Sequence, residues 1–337
     1  MGGKKALLAK LMAGAGLMRG RMTDGPRNLV VLAYHRVLDV ANEDDFASDP
    51  ELVSASISEF RRQIKFVREH WNPISLSAAM AAIDSGKKLP PRSVAITFDD
   101  GHFDNHTHAF PVLREFGVPA TIFLSTQYIG SNDMFWFERV SALLFRAPAG
   151  DLRVADTDTV LQLNGVASRR SESERLLAVL KRVPDARRKE LLQWLETKLG
   201  EHAPRDPAIS GALNWDQVRE MSQHGIEFGS HTVTHPVLSM QSDEEIRFEL
   251  DQSRKVIQNE TNTPVDLLAY PVGKSYAFND KVIAIAKECG YRAALAYIDG
   301  VNDAALANRF ALRRIAVERY IPHSLFMARM TFPRVFV

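Results

Sequence analysis

The sequence predicts an α/β protein built on a mainly parallel sheet or barrel, and three observations lead there. Short β-branched runs alternate with helical patterns from about residue 28 onward. Most of those runs are apolar throughout rather than alternating, as strands covered by helices should be. One long stretch, about residues 131–211, breaks the rhythm and reads as an inserted helical segment.

Taken in order, the first strand candidate is Asn28–Tyr34, and Ser56–His70 follows as a helix with Ile57, Phe60, Ile64 and Val67 on one face. Ser93–Phe98 and Ala120–Leu124 are the next strands. Within the insertion, Phe135, Trp136 and Phe137 read as core, although Trp136 can also stack on a sugar ring. Its best helices are Glu174–Val183 and Ala186–Leu199, and Pro204, Pro207 and Gly211 close it. The rhythm resumes with the strand Ile226–Gly229. The helix Asp243–Asn259 carries Ile246, Leu250 and Ile257 on one face and an acidic start that suits the helix dipole. Leu267–Tyr270, Arg292–Ala296 and Leu312–Val317 complete the strands. Between the first two lies the helix Asp280–Cys289, with Gly290 as its stop. The chain divides into a basic segment over 1–27, a barrel with its insertion over 28–320, and a C-terminal tail over 321–337.

The 337 residues are 45% hydrophobic and 25% charged, and the formal net charge is +1. That balance gives no footprint for nucleic acid, and none is expected as a partner. The single cysteine, Cys289, excludes an internal disulfide and a cysteine-based zinc site. No run approaches the roughly 18–20 apolar residues that span a bilayer. The opening MGGKKALLAKLMAGAGLMRGRM is not a convincing signal peptide, because Lys10 interrupts its apolar run. It reads as a frayed basic terminus or as a weak membrane-surface helix with Leu7, Leu8, Leu11, Ala15 and Met18 on one face. A cytoplasmic or peripheral inner-membrane location is the expectation.

Two strand ends carry chemistry. The run Ile96-Thr97-Phe98 ends in Asp99-Asp100-Gly101, and adjacent side chains at a strand end diverge, so one carboxylate can bind a metal while the other stays free. A plain Asp-Asp-Gly turn is the simpler alternative. The run Ile226-Glu227-Phe228-Gly229 leads into Ser230-His231-Thr232-Val233-Thr234-His235-Pro236. Two imidazoles and one carboxylate leave positions open for water and substrate, as a catalytic metal requires.

These residues resemble the polysaccharide deacetylase family (the NodB-homology, carbohydrate esterase family 4 type). The resemblance runs from Thr97-Phe98-Asp99-Asp100-Gly101 through Asp104-Asn105, Phe110-Pro111-Val112-Leu113 and Gly117-Val118-Pro119-Ala120-Thr121. It continues in Gly225 to Pro236 and in Ala269-Tyr270-Pro271-Val272-Gly273, and Leu32-Ala33-Tyr34-His35-Arg36-Val37 is similar to the opening of many members. The resemblance implies a distorted parallel β/α barrel with fewer than eight strands. It also implies one divalent metal ion, often zinc, with cobalt, nickel or manganese as alternatives. Asp100, His231 and His235 would hold that ion, and Asp99 would take a proton from the water it activates. The substrate implied is an N-acetylated glycan, with Tyr270, Pro271 and Val272 lining its site and a backbone N–H near Val272 serving the oxyanion.

Two departures from the family pattern stand out. Ala269 occupies the place of an arginine that pairs with the base, and Phe310-Ala311-Leu312-Arg313-Arg314-Ile315 lacks the usual histidine acid. Arg314 is the candidate replacement cation, with a surface pairing to Glu318 as its alternative. His35 is the candidate acid or substrate contact. His102, His106 and His108 follow the Asp-Asp-Gly turn and read as a solvated loop and helix start, with lining of the mouth as the alternative. Hydrolysis of another non-peptide C–N bond, and a weakly catalytic sugar-binding role, remain open beside sugar N-deacetylation.

Overall fold

The computed structural model describes residues 2–15, 28–200, 211–303 and 308–337. Its centre is a closed barrel of seven parallel strands: β1 Asn28–Tyr34, β2 Ser93–Phe98, β3 Ala120–Leu124, β4 Glu227–Ser230, β5 Leu267–Ala269, β6 Ala293–Asp299 and β7 Leu312–Ala316. Around the barrel they run β1, β7, β6, β5, β4, β3, β2 and back to β1. Closure rests on six aligned pairs from Leu29↔Ser93 to Tyr34↔Phe98. Short strands extend the sheet at two points, Asn302–Asp303 antiparallel to β1 and Asn72–Pro73 parallel to β2.

The apolar runs are explained by burial on both faces. Alternate residues divide between two clusters because successive strand side chains point to opposite sides. Leu29, Val31, Ala95, Phe123, Ala269 and Leu295 join one cluster with Leu76 and Met80 of the helix Leu76–Asp84. Val30, Leu32, Tyr34, Ile96, Phe98 and Ile122 join the other, with Phe60 and Ile64 of the helix Ile57–His70 and Leu113 of Phe110–Phe116.

The insertion contains the helices Trp136–Arg146, Val166–Leu180 and Asp185–Leu199 around a core of its own that includes Phe135, Trp136 and Phe137. It also holds a β-hairpin, Asp151–Arg153 against Val160–Gln162, that the sequence does not flag. Three-residue strands are too short to show an alternation. The helix from Val166 begins well before Glu174, and its cap is Gly165, which carries no side chain to mark the boundary. Pro204 and Pro207 lie outside the described residues.

At the start of the chain, the frayed terminus gives way to a helix, Gly2–Gly14, packed through Ala9 against Ala328 and Phe336. Met18 and Arg21 lie outside the described residues. The C-terminal segment forms the helices His323–Thr331 and Pro333–Phe336.

Candidate active site

β2 carries its carboxylates to one mouth of the barrel, and the backbone separates them. Asp100 has φ 74° and Gly101 φ 84°. At φ 84° a residue with a Cβ would be strained, and that Cβ would also crowd Leu124 Cδ2 at 2.6 Å, so glycine suits the sharp turn. Asp99 and Asp100 are 2% and 1% exposed, and they face different partners.

Asp100 faces the histidines. Its Oδ1 lies 3.4 Å from His231 Nε2 and 3.3 Å from His235 Nε2, yet this buried oxygen makes no hydrogen bond. One ligand atom from each of the three residues falls within 4.8 Å of the others. His231 Nδ1 lies 2.7 Å from the Ala269 carbonyl, which can only accept, so Nδ1 carries the proton and Nε2 presents its lone pair. Burial lowers the His231 pKa, favouring the neutral, metal-binding form. For Asp100, burial pushes the carboxyl up, but His102 and His235 outweigh it and hold the group well below the usual carboxylate range. An unsatisfied carboxylate oxygen facing two imidazole nitrogens is the donor set of a borderline divalent metal. The residues fit the ion.

The loop between the histidines is strained and braced. Thr232 has φ 71° and His235 φ 58°, and a β-branched residue there is an outlier. Thr232 Oγ1 accepts from His235 N–H at 3.1 Å. Glu249, buried on the helix Asp243–Thr261, accepts from Val233 N–H at 2.7 Å, from Thr234 N–H at 2.9 Å and from the Thr234 hydroxyl at 2.6 Å. The insertion contributes as well. Trp136 is buried, and its indole N–H donates to the His235 carbonyl at 3.0 Å, so Trp136 supports a ligand loop rather than offering a ring to a sugar.

Asp99 faces Arg314, which reaches it from β7. Arg314 Nη1 and Nη2 donate to Asp99 Oδ1 and Oδ2, each at 2.8 Å, and Nε donates to the Ala296 carbonyl at 3.0 Å. The guanidinium is 1% exposed and turned into the barrel, away from a surface pairing with Glu318. Burial pushes the Asp99 carboxyl up, but the Arg314 charge, then His231, and the Arg314 hydrogen bonds leave it below its ordinary 3.8. The missing arginine of the β5 motif therefore has a counterpart on another strand.

The remaining expected residues fall as follows. Tyr270 is a core residue: it is 1% exposed, stacks on Phe278 at 4.3 Å and donates its hydroxyl to the Phe310 carbonyl. Its side chain has no face to offer a substrate, which corrects its placement as a contact. Pro271 is buried too, and Val272 is the part-exposed member of the three. Val272 has φ 64°, and its N–H takes part in none of the described backbone hydrogen bonds. His35 is part-exposed at the end of β1, its ring 5.4 Å from that of Tyr297. Burial lowers its pKa against the opposing charges of Asp100 and Asp99.

His102 needs correction. It is fully buried, and its Nε2 lies 3.2 Å from Asp100 Oδ2. Beside it, Arg36 pairs with Asp104 at 2.8 Å and with Glu138 at 3.2 Å, all three buried. His106 and His108 do sit at the helix start, near Glu220 and the Val37 carbonyl. By engaging Oδ2, His102 leaves Oδ1 free to face the two imidazoles, the position in which it could join them in holding a metal ion. His102→Ala is expected to weaken metal affinity by about 10–100-fold, the usual loss for a residue that orients a ligand. Competition with a chromophoric chelator measures this, and an unchanged affinity refutes the role.

Fold and site together define a β/α barrel whose mouth holds a buried Asp-His-His group able to bind a metal ion. A family model described as polysaccharide deacetylase matches residues 86–294, and the chain belongs to that family; the relatives and solved structures it matches support a deacetylase-type hydrolase acting on C–N bonds other than peptide bonds. The poly-β-1,6-N-acetyl-D-glucosamine N-deacetylase of Staphylococcus epidermidis is 27% identical over 210 residues, which cover 59% of this chain and 71% of that protein. Among solved structures, the Streptococcus pyogenes deacetylase PplD in complex with acetate superposes with a TM-score of 0.60 at 19% identity, covering 91% of this chain and 100% of that one. IcaB from Ammonifex degensii gives 0.56 at 18% identity, covering 86% and 92%. At such identities the structural likeness establishes the fold alone.

Proposed function

We propose that the chain removes acetyl groups from N-acetylhexosamine units of an exopolysaccharide, using one divalent metal, zinc first, held by Asp100, His231 and His235. The observation that carries this is the division of labour between adjacent aspartates: Asp100 turned to two imidazoles, Asp99 locked to Arg314. A pure binding site has no use for a buried base with its own arginine.

An amide is a poor electrophile, and a divalent ion at this group supplies acidified water and a polarised carbonyl when bound. Asp99, kept ionised near neutral pH by Arg314, accepts a proton from the attacking water. A carboxylic acid so disfavoured gives that proton up readily, and the departing amine nitrogen is its acceptor. This accounts for a site without a histidine in Phe310-Ala311-Leu312-Arg313-Arg314-Ile315. The Val272 N–H donates to the oxygen that gains charge as water adds to the acetyl carbon. His35, neutral near pH 7 because burial lowers its pKa, is a substrate contact rather than the proton donor. Cleavage of the C–N bond then yields acetate and a free amine.

The relatives' own substrate makes poly-β-1,6-N-acetylglucosamine oligomers the first to assay. Acetate release from the metal-loaded enzyme, lost on chelation and restored by zinc, is the expected result. Formate or ammonia released from small amides, with no acetate from any N-acetylated glycan, would instead assign a different C–N hydrolase. In His231→Ala, metal stoichiometry measured by atomic emission should fall from one toward zero.

A further inference from the structure

The helix Gly2–Gly14 is packed the wrong way round for a helix whose only duty is to cover a core. Ala9 is fully buried against Ala328 and Phe336, with Met12 and Ala13 beside it. The larger side chains point outward: Leu7, Leu8 and Leu11 are 61%, 45% and 64% exposed. An amphipathic helix of a globular protein normally buries its biggest apolar residues and exposes its small or polar ones. Among the described residues seven large hydrophobics are exposed; three sit on this one helix, and a fourth, Val335, lies on the adjoining Pro333–Phe336.

The charges around the leucines are all of one sign. At about 100° per residue, the three leucines fall within roughly a 100° arc, with Lys4 in it and Lys5 and Lys10 on its flanks. All three lysines are exposed, the helix carries no acid, and Arg334 is exposed on the adjoining helix. Apolar residues on one face, with Lys5 and Lys10 at its edges and Lys4 near the helix start able to reach outward along its aliphatic stem, match acyl chains bordered by phosphates. A second copy of the chain is a poor occupant. Stacking two leucine faces would bring the lysines of both helices together without an acid on either helix to offset them.

Thirteen residues make a helix of about 20 Å, short of the roughly 30 Å hydrocarbon core. No helix among the described residues is long and apolar enough to cross a membrane. We propose that the helix Gly2–Gly14 lies in the surface of an anionic lipid bilayer, inserting Leu7, Leu8 and Leu11 while Lys4, Lys5 and Lys10 bind the headgroups. The barrel is thereby held at the membrane through the C-terminal helices on which Gly2–Gly14 packs. This holds whatever glycan the site takes.

The test is co-sedimentation of the full chain with phosphatidylcholine vesicles, with and without phosphatidylglycerol. The protein should sediment with the anionic vesicles, only weakly with the neutral ones, and less as salt rises. Leu7→Gln/Leu11→Gln should lower the partition coefficient by about tenfold per leucine. Lys4→Gln and Lys5→Gln should each lower it by about fivefold. Hydrolysis of a soluble oligosaccharide should stay unchanged in these variants, showing that the barrel is folded. No sedimentation with anionic vesicles, or equal binding by the leucine variant, overturns the proposal. So does a lipid-free dimer that the leucine substitutions dissolve, which would make a second copy the occupant.

Discussion

Asp99→Asn is expected to keep the fold and the bound metal while turnover falls by about 10²–10⁴-fold. The substitution is nearly isosteric and leaves Asp100, His231 and His235 untouched, so the metal group keeps its donors. What disappears is proton affinity at the carboxylate, since an amide oxygen cannot take a proton from water near neutral pH. If the same carboxylate also returns the proton to the amine, both halves of the reaction suffer, and the loss falls toward the upper end. The Asn amide nitrogen also meets an Arg314 donor where an oxygen accepted at 2.8 Å, so one of the two parallel hydrogen bonds is lost. Acetate release and metal content measured on the same sample separate the cases. Near-normal turnover with metal bound would remove Asp99 from the chemistry, and lost turnover with lost metal would reassign it to the metal group.

Legibility in the sequence followed burial. The barrel strands lie buried between an inner and an outer cluster, so most are continuous apolar runs that stand out from the polar connections, while Leu312-Arg313-Arg314-Ile315-Ala316 carries its two arginines within the strand. The Asp99-Asp100 and His231/His235 pairs were visible because polar residues that abruptly end an apolar run have few structural uses. Register was less legible: Ile226–Gly229 is in fact Glu227–Ser230, because Glu227 is inside the barrel, where it accepts from the Thr121 hydroxyl at 2.8 Å. His102 looked like part of a polar turn, and only the closure of the insertion over it, with Phe135 at 5.0 Å, makes it a buried partner of Asp100. Glu249 left one trace: it sits three residues after Ile246 and one before Leu250, on the buried side of its helix, where an unpaired carboxylate would be costly. The Arg36–Asp104–Glu138 cluster left none, since its members are 68 and 102 residues apart from Arg36 in sequence. The helix Gly2–Gly14 was obscured for the opposite reason, because its largest apolar residues mark the face it does not bury.

Arg314→Ala should have the largest effect on stability, and its effect on the reaction has a distinct sign. Arg314 and Asp99 are 1% and 3% exposed at their side chains, and removing one partner of such a pair leaves a buried charge uncompensated, typically at about 3–5 kcal/mol. The cost should follow pH. A carboxyl whose folded pKa lies below its ordinary 3.8 contributes stability above that value and loses it as pH falls through the folded pKa. Without the guanidinium, burial raises the Asp99 pKa with its chief opponent gone. The deficit of the variant is then widest at neutral pH and narrows on acidification, as Asp99 protonates. Activity moves the same way: an ionised base is lost as pH falls through its pKa, so the acid limb of kcat/KM should shift to higher pH in Arg314→Ala. Arg314→Lys restores the charge but not the paired donors, and should recover the position of the limb better than the maximal rate. Urea unfolding at several pH values and a pH profile for both variants provide the readouts. In a double-mutant cycle with Asp99→Asn, the two substitutions should cost much less together than the sum of each alone, because either one already breaks the pair. Strict additivity, or an acid limb unmoved in Arg314→Ala, would mean that Arg314 braces β6 and β7 through the Ala296 carbonyl and leaves the base to be governed by the metal alone.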